Sequence, residues 1–262
     1  MKKIIKLPFK ILFYILLLAI LITAAFFVIK TPNHDRDWEL GQEKLTNFVF
    51  SEDDKTKVKI NNIRDFDWDA GETDNWIEKE VDVKNITGLD VGVSHFSAKD
   101  GIGHVFLIFN FGDGDNIGMS IESRRNDGEG FSILGGLKLD YELMYIFASK
   151  NDLLSLRKKR NEKIYLYEID TSTEKAQKLF IALADRQNGI YEKPEFYHLF
   201  LKNCTNLIVK ELKEISDKDF PFFEATFLPG KAGEVLFDMG LIKTENDNFA
   251  DVQEEFLVRF DG

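Results

Sequence analysis

Apolar and polar positions along the chain fall into three regimes. The first is a run with no charge and no helix breaker, ILFYILLLAILITAAFFVI, from Ile11 to Ile29. Its nineteen residues, at about 1.5 Å each, span roughly 28 Å as a helix, close to the hydrocarbon core of a bilayer. The second regime begins at Lys57, where VKINNIRDFDW and WIEKEVDVKNI alternate apolar and polar residues and predict strands. Gly88 to Gly101, which contains His95, predicts a loop-rich passage. HVFLIFNF–GDGDN–IGMSIESR is the clearest hairpin, its first arm apolar enough to be covered on both faces. YELMYIFAS (Tyr141 to Ser149) and KIYLYEID (Lys163 to Asp170) predict two more strands, with NDLLSLRKKR a short helix or turn between them. The third regime is helical. STEKAQKLFIALADRQNGI carries a Ser/Thr cap and is expected to end at Gly189. NLIVKELKEI sets Leu207, Ile208, Leu212 and Ile215 on one face, and LPGKAGEVLFDMGLI predicts a Pro-Gly turn and a short helix.

Charge orients the first regime. Lys2, Lys3, Lys6 and Lys10 precede the apolar run, so the positive-inside tendency places the N-terminus in the cytoplasm and exports the chain beyond Lys30. A cleaved signal peptide would have a shorter core and a small-residue cleavage site. Here Thr23-Ala24-Ala25 is followed at once by Phe26 and Phe27, so an uncleaved anchor is expected. The expected organisation is a cytoplasmic basic segment (1–10), a transmembrane signal anchor (11–29) and a juxtamembrane linker with a short helical piece (30–56). Beyond these lie a single α+β domain (57–245) and an acidic C-terminal tail (246–262). The localisation expected from these features is a membrane crossed once, with the domain on the exported side.

Composition narrows the function. The chain has net charge −11, and its first 30 residues hold five lysines and no acid, so the remainder carries −16. Such a surface repels nucleic acid, and the sequence shows no basic stripe. The 24 phenylalanines point to a packed domain with room for an apolar groove, and not to a disordered tail. Cys204 is the only cysteine. An exported chain usually has paired cysteines or none, so the thiol is either a small buried core residue or a nucleophile.

Cys204 falls at or just before the start of the predicted helix NLIVKELKEI, with Asn203 or Thr205 available as its cap. The positive end of a helix lowers a thiol's pKa and stabilises an oxyanion. Among four histidines, His104 is the best base. It follows Gly101-Ile102-Gly103 and opens an apolar strand. Folding the hairpin about Gly114 places residue 124 opposite His104 and Glu122 one pleat step away on the same face. Glu122 would then orient the imidazole as the third group of a triad; alternatively it pairs with Arg124, Arg125 or Arg157. His198, on the helical stretch expected at EFYHLFL, lies six positions from Cys204 and reads as a surface residue. Asp113 and Asp115 read as hairpin-turn residues, and no metal-ligand spacing exists. No cofactor is expected.

Several passages together resemble a known family. NIRDFDW, GIGHVFLIFNFGDG, SIESRRNDGEGFS, GLKLDYELMYIFASKNDLLSLR, IYLYEI and PEFYHLFLKNCTN are similar, in order, to the periplasmic domain of the Lnb family of bacterial lipoprotein N-acyltransferases, from about Asn61 to Ile242. The resemblance implies a circularly permuted papain-like (NlpC/P60-type) fold, with an antiparallel sheet, packed helices and the histidine strand before the cysteine helix. It implies Cys204 as nucleophile and His104 as base, with Glu122 chosen as third member. Tyr141, Tyr197, Asn203 and Thr205 would line or support the substrate site. The match departs around the cysteine, where His198 and Lys202 stand in place of amides and Asn206 in place of a threonine. The activity implied is transfer of a fatty acyl group from a membrane phospholipid to an amine, the N-terminus of a lipoprotein, through a Cys204 thioester. A cysteine amidase or peptidase acting on cell-wall peptide, and a non-catalytic envelope protein holding a lipid or partner, are the alternatives.

Overall fold

The computed structural model describes residues 10–18, 30–97, 101–215, 220–221 and 227–260. Of the expected anchor, residues 11–18 are helical and exposed, and 19–29 lie outside the described residues. Among the described residues, no helix is long and apolar enough to cross a membrane.

The fold is mixed α+β. One sheet holds eight strands: β1 (Asn47–Phe50), β2 (Lys57–Arg64), β3 (Trp76–Asp82), β4 (Ile86–His95), β5 (His104–Phe111), β6 (Ile117–Arg124), β7 (Glu142–Ser149) and β8 (Lys163–Glu168). Their order is β1-β2-β7-β6-β5-β4-β8, with β3 paired to β2. Pairing is antiparallel except where β2 meets β7, a parallel contact at Arg64 and Ala148. The helices are α1 (Ile133–Lys138), α2 (Lys150–Lys159), α3 (Thr173–Glu192), α4 (Cys204–Ile215), α5 (Ala232–Asp238) and α6 (Phe249–Glu255).

The two faces of the sheet bury different clusters. Val105, Leu107 and Phe109 of β5 join the larger one, with Leu179 and Phe180 of α3 and Leu207 and Ile208 of α4. Phe180 is its hub, edge-on to Phe48, Phe109, Phe111 and Phe147. Each fully buried Phe is worth about 1.5–3 kcal/mol relative to exposure, which accounts for much of the phenylalanine content. Phe106 and Ile108 face the other way, against Leu153 of α2. This alternation puts His104 on the α2 side.

A buried ion pair seats α2. Asp152 accepts from Arg64 Nε and Nη2, from the Phe66 amide and from Trp68 Nε1, and both Arg64 and Asp152 are almost fully buried. The NIRDFDW passage therefore ties β2 to the helix that carries Arg157.

Several sequence expectations are corrected. The loop expected at Gly88–Gly101 is mostly strand β4, which pairs with both β5 and β8. Gly92 is there because a Cβ would lie 2.1 Å from Phe106 Cζ, so its glycine marks close ring packing and not a turn. Gly189 does not end α3, which runs on to Glu192 with Ile190 fully buried. Tertiary burial overrides the weak breaking tendency of one glycine. The linker at 30–56 contains no helix. It packs along the domain, where His34 Nε2 donates to the Ile190 carbonyl, Arg36 pairs with Glu142, and Trp38 lies under the Arg124 guanidinium at 3.9 Å; it then forms β1. Over its described residues, 246–260, the acidic tail packs on the domain. Val252 of α6 is fully buried, and the backbone beyond it bonds to β8 through Leu166 and Ile164. EFYHLFL is not helical; His198 forms a bridge with Lys202 around a turn.

Candidate active site

His104 opens β5 and Glu122 stands in β6. The hairpin pairs Phe109 with Ile117 and Phe106 with Ser120. Continued by two residues, this register sets Glu122 level with His104. Folding about Gly114 had put residue 124 there. A two-residue shift preserves the face, so Glu122 still points the right way. His104 Nε2 lies 2.7 Å from Ser120 Oγ and 3.2 Å from Glu122 Oε1. Ser120 Oγ donates to the same carboxylate oxygen at 2.7 Å.

Cys204 is the first residue of α4. Asn203 caps the helix: its Oδ1 accepts from the Thr205 amide at 3.0 Å and the Asn206 amide at 2.9 Å. Asn206 Oδ1 returns the bond to the Asn203 amide at 2.9 Å, a reciprocal capping box. Asn203 Nδ2 donates to the Leu199 carbonyl, which fixes the preceding turn. The polar neighbours of the lone cysteine thus hold the helix start. Asn206 is part of that cap.

The thiol meets the imidazole at the end of the sheet. Cys204 lies close enough to His104 and the Val105 amide for both to favour its thiolate. Since Nε2 is engaged by Ser120 and Glu122, Nδ1 is the ring nitrogen left for the sulfur. The charges are mutually supporting. Burial disfavours the imidazolium, but the Glu122 carboxylate and the Cys204 sulfur outweigh it and push His104 up to about 10. Burial also pushes the Cys204 thiol up, and the His104 charge and hydrogen bond reverse this to a net lowering. For Glu122, burial is again opposed, by His104, Arg157 and Ser120, which hold its carboxyl far below the usual range. Both groups still reach the cleft, with 17% of the His104 and 28% of the Glu122 side chain exposed.

The site lies on a cleft of about 740 Å³. Its apolar wall comes from Phe96, Ile102, Phe131, Ile133, Leu199, Phe200 and Phe227, and its polar lining includes Arg125, Arg157, Arg160 and Glu162. Tyr197 and Asn203 also line it. Thr205 is buried behind the cysteine, its Oγ1 3.6 Å from Sγ. Tyr141 supports from below: its hydroxyl accepts from the Ser132 amide and donates to the Gly130 carbonyl, and its ring stacks on Phe131.

Sequence reasoning missed Ser120. Its position two residues before Glu122 on one strand face was the available signal. Arg157 was weighed only as an ion-pair partner; it lies by Glu122 and against the Phe106 ring at 4.1 Å. Arg124 and Arg125 are committed elsewhere, to the Gln42 and Glu43 carbonyls and to Glu39. Helix α1 was not anticipated; an apolar groove was, from the phenylalanine content, but not which residues form it. Asp113 and Asp115 form the hairpin turn, Asp115 pairing with Lys79. Among the described residues, no group of His, Cys, Asp and Glu could hold a metal ion.

Fold and site define a mixed α+β protein with a thiol, an imidazole and a carboxylate lining one cleft. Residues 72–226 match the Lnb N-terminal periplasmic domain. The match covers more than half of the chain, and the protein belongs to that family. Its description supports a periplasmic location. Comparison with curated proteins and with solved structures found no significant match.

Proposed function

We propose that this protein is a thiol acyltransferase, anchored in the inner membrane by residues 11–29, with its domain in the periplasm and the permuted papain-like arrangement of its family. The observation that carries the reading is the Cys204–His104–Glu122 line opening on a largely apolar cleft. Membrane phospholipid is the acyl donor and the N-terminal amine of a lipoprotein is the acceptor.

In the first half-reaction the Cys204 thiolate attacks the ester carbonyl, and the N-terminal end of α4 favours the oxyanion. The oxyanion collapses, the ester C–O bond breaks, and His104 gives its proton to the departing lysolipid alcohol. Acylation removes the sulfur charge that had helped to hold the His104 proton, so the ring is left as a competent base. In the second half-reaction the amine attacks the thioester, His104 takes its proton, and the thiolate is released with the amide product. Glu122 and Ser120 hold Nε2 throughout and keep Nδ1 toward the sulfur.

Intact mass of the membrane-extracted protein tests this. A fatty-acyl increment removed by neutral hydroxylamine, and absent or converted to a hydroxylamine-resistant ester in Cys204→Ser, is expected. No increment after incubation with phospholipid would defeat the proposal. One observation favours a second reading. Arg125, Arg160 and Glu162 give the cleft a charged wall, which suits a cell-wall peptide and a cysteine amidase or peptidase. Cys204-dependent release of fragments from purified cell wall would then appear instead.

A further inference from the structure

Ile102, Phe131, Ile133, Leu134, Phe200 and Leu201 are between 40% and 71% exposed. They come from three separate segments, yet form one rim. The Leu199 amide bonds to the Gly136 carbonyl, joining the 199–201 turn to α1. Phe200 packs edge-on to Phe227 at 5.5 Å, and the Gly230 amide bonds to the Gly101 carbonyl. Four of the six line the cleft mouth themselves. An exposed apolar area of this extent marks an interaction surface.

Two further features say what covers it. The first is charge. The stretches 101–112, 130–139, 196–210 and 227–233 contain no Asp or Glu, in a chain that holds 45 of them. The acidic groups that border the rim, Glu129, Asp140 and Glu195, are each paired with a cation (Arg36, Lys30, and Arg186 with Lys202), so little uncompensated negative charge faces it. The second is where the apolar segment 11–29 delivers the chain. The next residue, Lys30, donates to the Lys138 carbonyl and pairs with Asp140 at 2.5 Å. Lys138 ends α1, and Ile133 and Leu134 begin it, so the rim lies within about one short helix length, ~9 Å, of the point where the chain joins the domain.

We infer that this rim is a membrane-docking face, lying on the outer leaflet of the bilayer that residues 11–29 span. The inference rests on reading those residues as an anchor. Docked this way, the cleft opens toward the lipid and not toward the aqueous periplasm, and an acyl-bearing ligand enters sideways from the leaflet. The rim side chains insert to the headgroup and upper acyl level, as interfacial apolar groups do.

The test uses the full chain in vesicles of phosphatidylethanolamine and phosphatidylglycerol doped with lipid carrying a nitroxide near the top of the acyl chain. A bimane label is placed at Ile133→Cys or Leu201→Cys in a Cys204→Ser background. Val49→Cys, exposed on the edge strand β1, is the aqueous control, and Leu17→Cys reports the anchor. Quenching of the rim labels at least about threefold above Val49 is expected for groups seated 5–10 Å into the interface. Rim labels quenched no more than Val49, with Leu17 strongly quenched, would overturn the docking and leave the anchor standing. An unquenched Leu17 would overturn both. Because Cys204 is replaced throughout, failure of the acyl-transfer reading cannot produce either result.

Discussion

Glu122 and His104 stand level across the β5–β6 hairpin, 3.2 Å apart, and Ser120 bonds to both. The carboxylate grips the imidazole at Nε2, which leaves the opposite nitrogen for Cys204. A strand-borne base held this way has no freedom to turn, since both partners lie on one rigid sheet face.

Glu122→Gln keeps the shape and removes the charge. The His104 pKa then falls and the Cys204 pKa rises, because each is held by its neighbour. Thioester formation should slow by about 10²–10⁴-fold, read as acyl-adduct mass against time. Iodoacetamide labelling should shift to higher pH than in the wild type; an unchanged pH profile would remove Glu122 from the site.

The same pair makes stability depend on pH. His104 has a folded pKa of about 10 against an ordinary 6.5, so its contribution is complete below 6.5 and is lost as pH rises toward 10. Glu122 is depressed from 4.5, so its contribution is complete above 4.5 and is lost in acid. The Tm gap between wild type and Glu122→Gln should be widest between about pH 4.5 and 6.5 and narrow on both sides. Scanning fluorimetry across pH 3–10 checks this.

Asn203 separates stability from reactivity. Asn203→Ala removes the cap of α4 and should cost about 1 kcal/mol, or roughly 2–4 °C in Tm. Asn203→Asp keeps an acceptor for the Thr205 and Asn206 amides but loses the Nδ2 bond to the Leu199 carbonyl, so it should recover only part of that Tm loss. Its negative charge beside the sulfur should nevertheless slow alkylation at neutral pH.

Gly103 sits where two backbones meet. A Cβ there would be 2.8 Å from the Ser94 carbonyl oxygen and 3.0 Å from Gly230 Cα. Neither is the end of a flexible side chain, so Gly103→Ala must displace the start of β5. We expect a loss of about 1–3 kcal/mol and slower labelling of Cys204, checked by urea midpoint and alkylation rate.

Legibility tracked locality. The β5–β6 hairpin could be read because its turn residues and apolar arms are contiguous, and Cys204 because α4 announces its own start. Strand β4 could not be read. Gly88 and Gly92 look like punctuation until Phe106 is seen lying across Gly92. The tail and the 30–46 strap look like linkers because their partners, β8 and Glu142, are distant in sequence.

By itself, then, the sequence determined the mixed α+β class, the β5–β6 hairpin, the helix that begins at Cys204 and the residue types able to do thiol chemistry. These rest on periodicity and capping, which act over a few residues. Only the tertiary structure decided that His104 and Glu122 share a level, that Ser120 links them, and that Cys204 comes to that ring from 100 residues away. It alone assembled an apolar rim from separate segments. Strand register and helix docking are set by burial summed over the whole core, and no short window of sequence contains that sum.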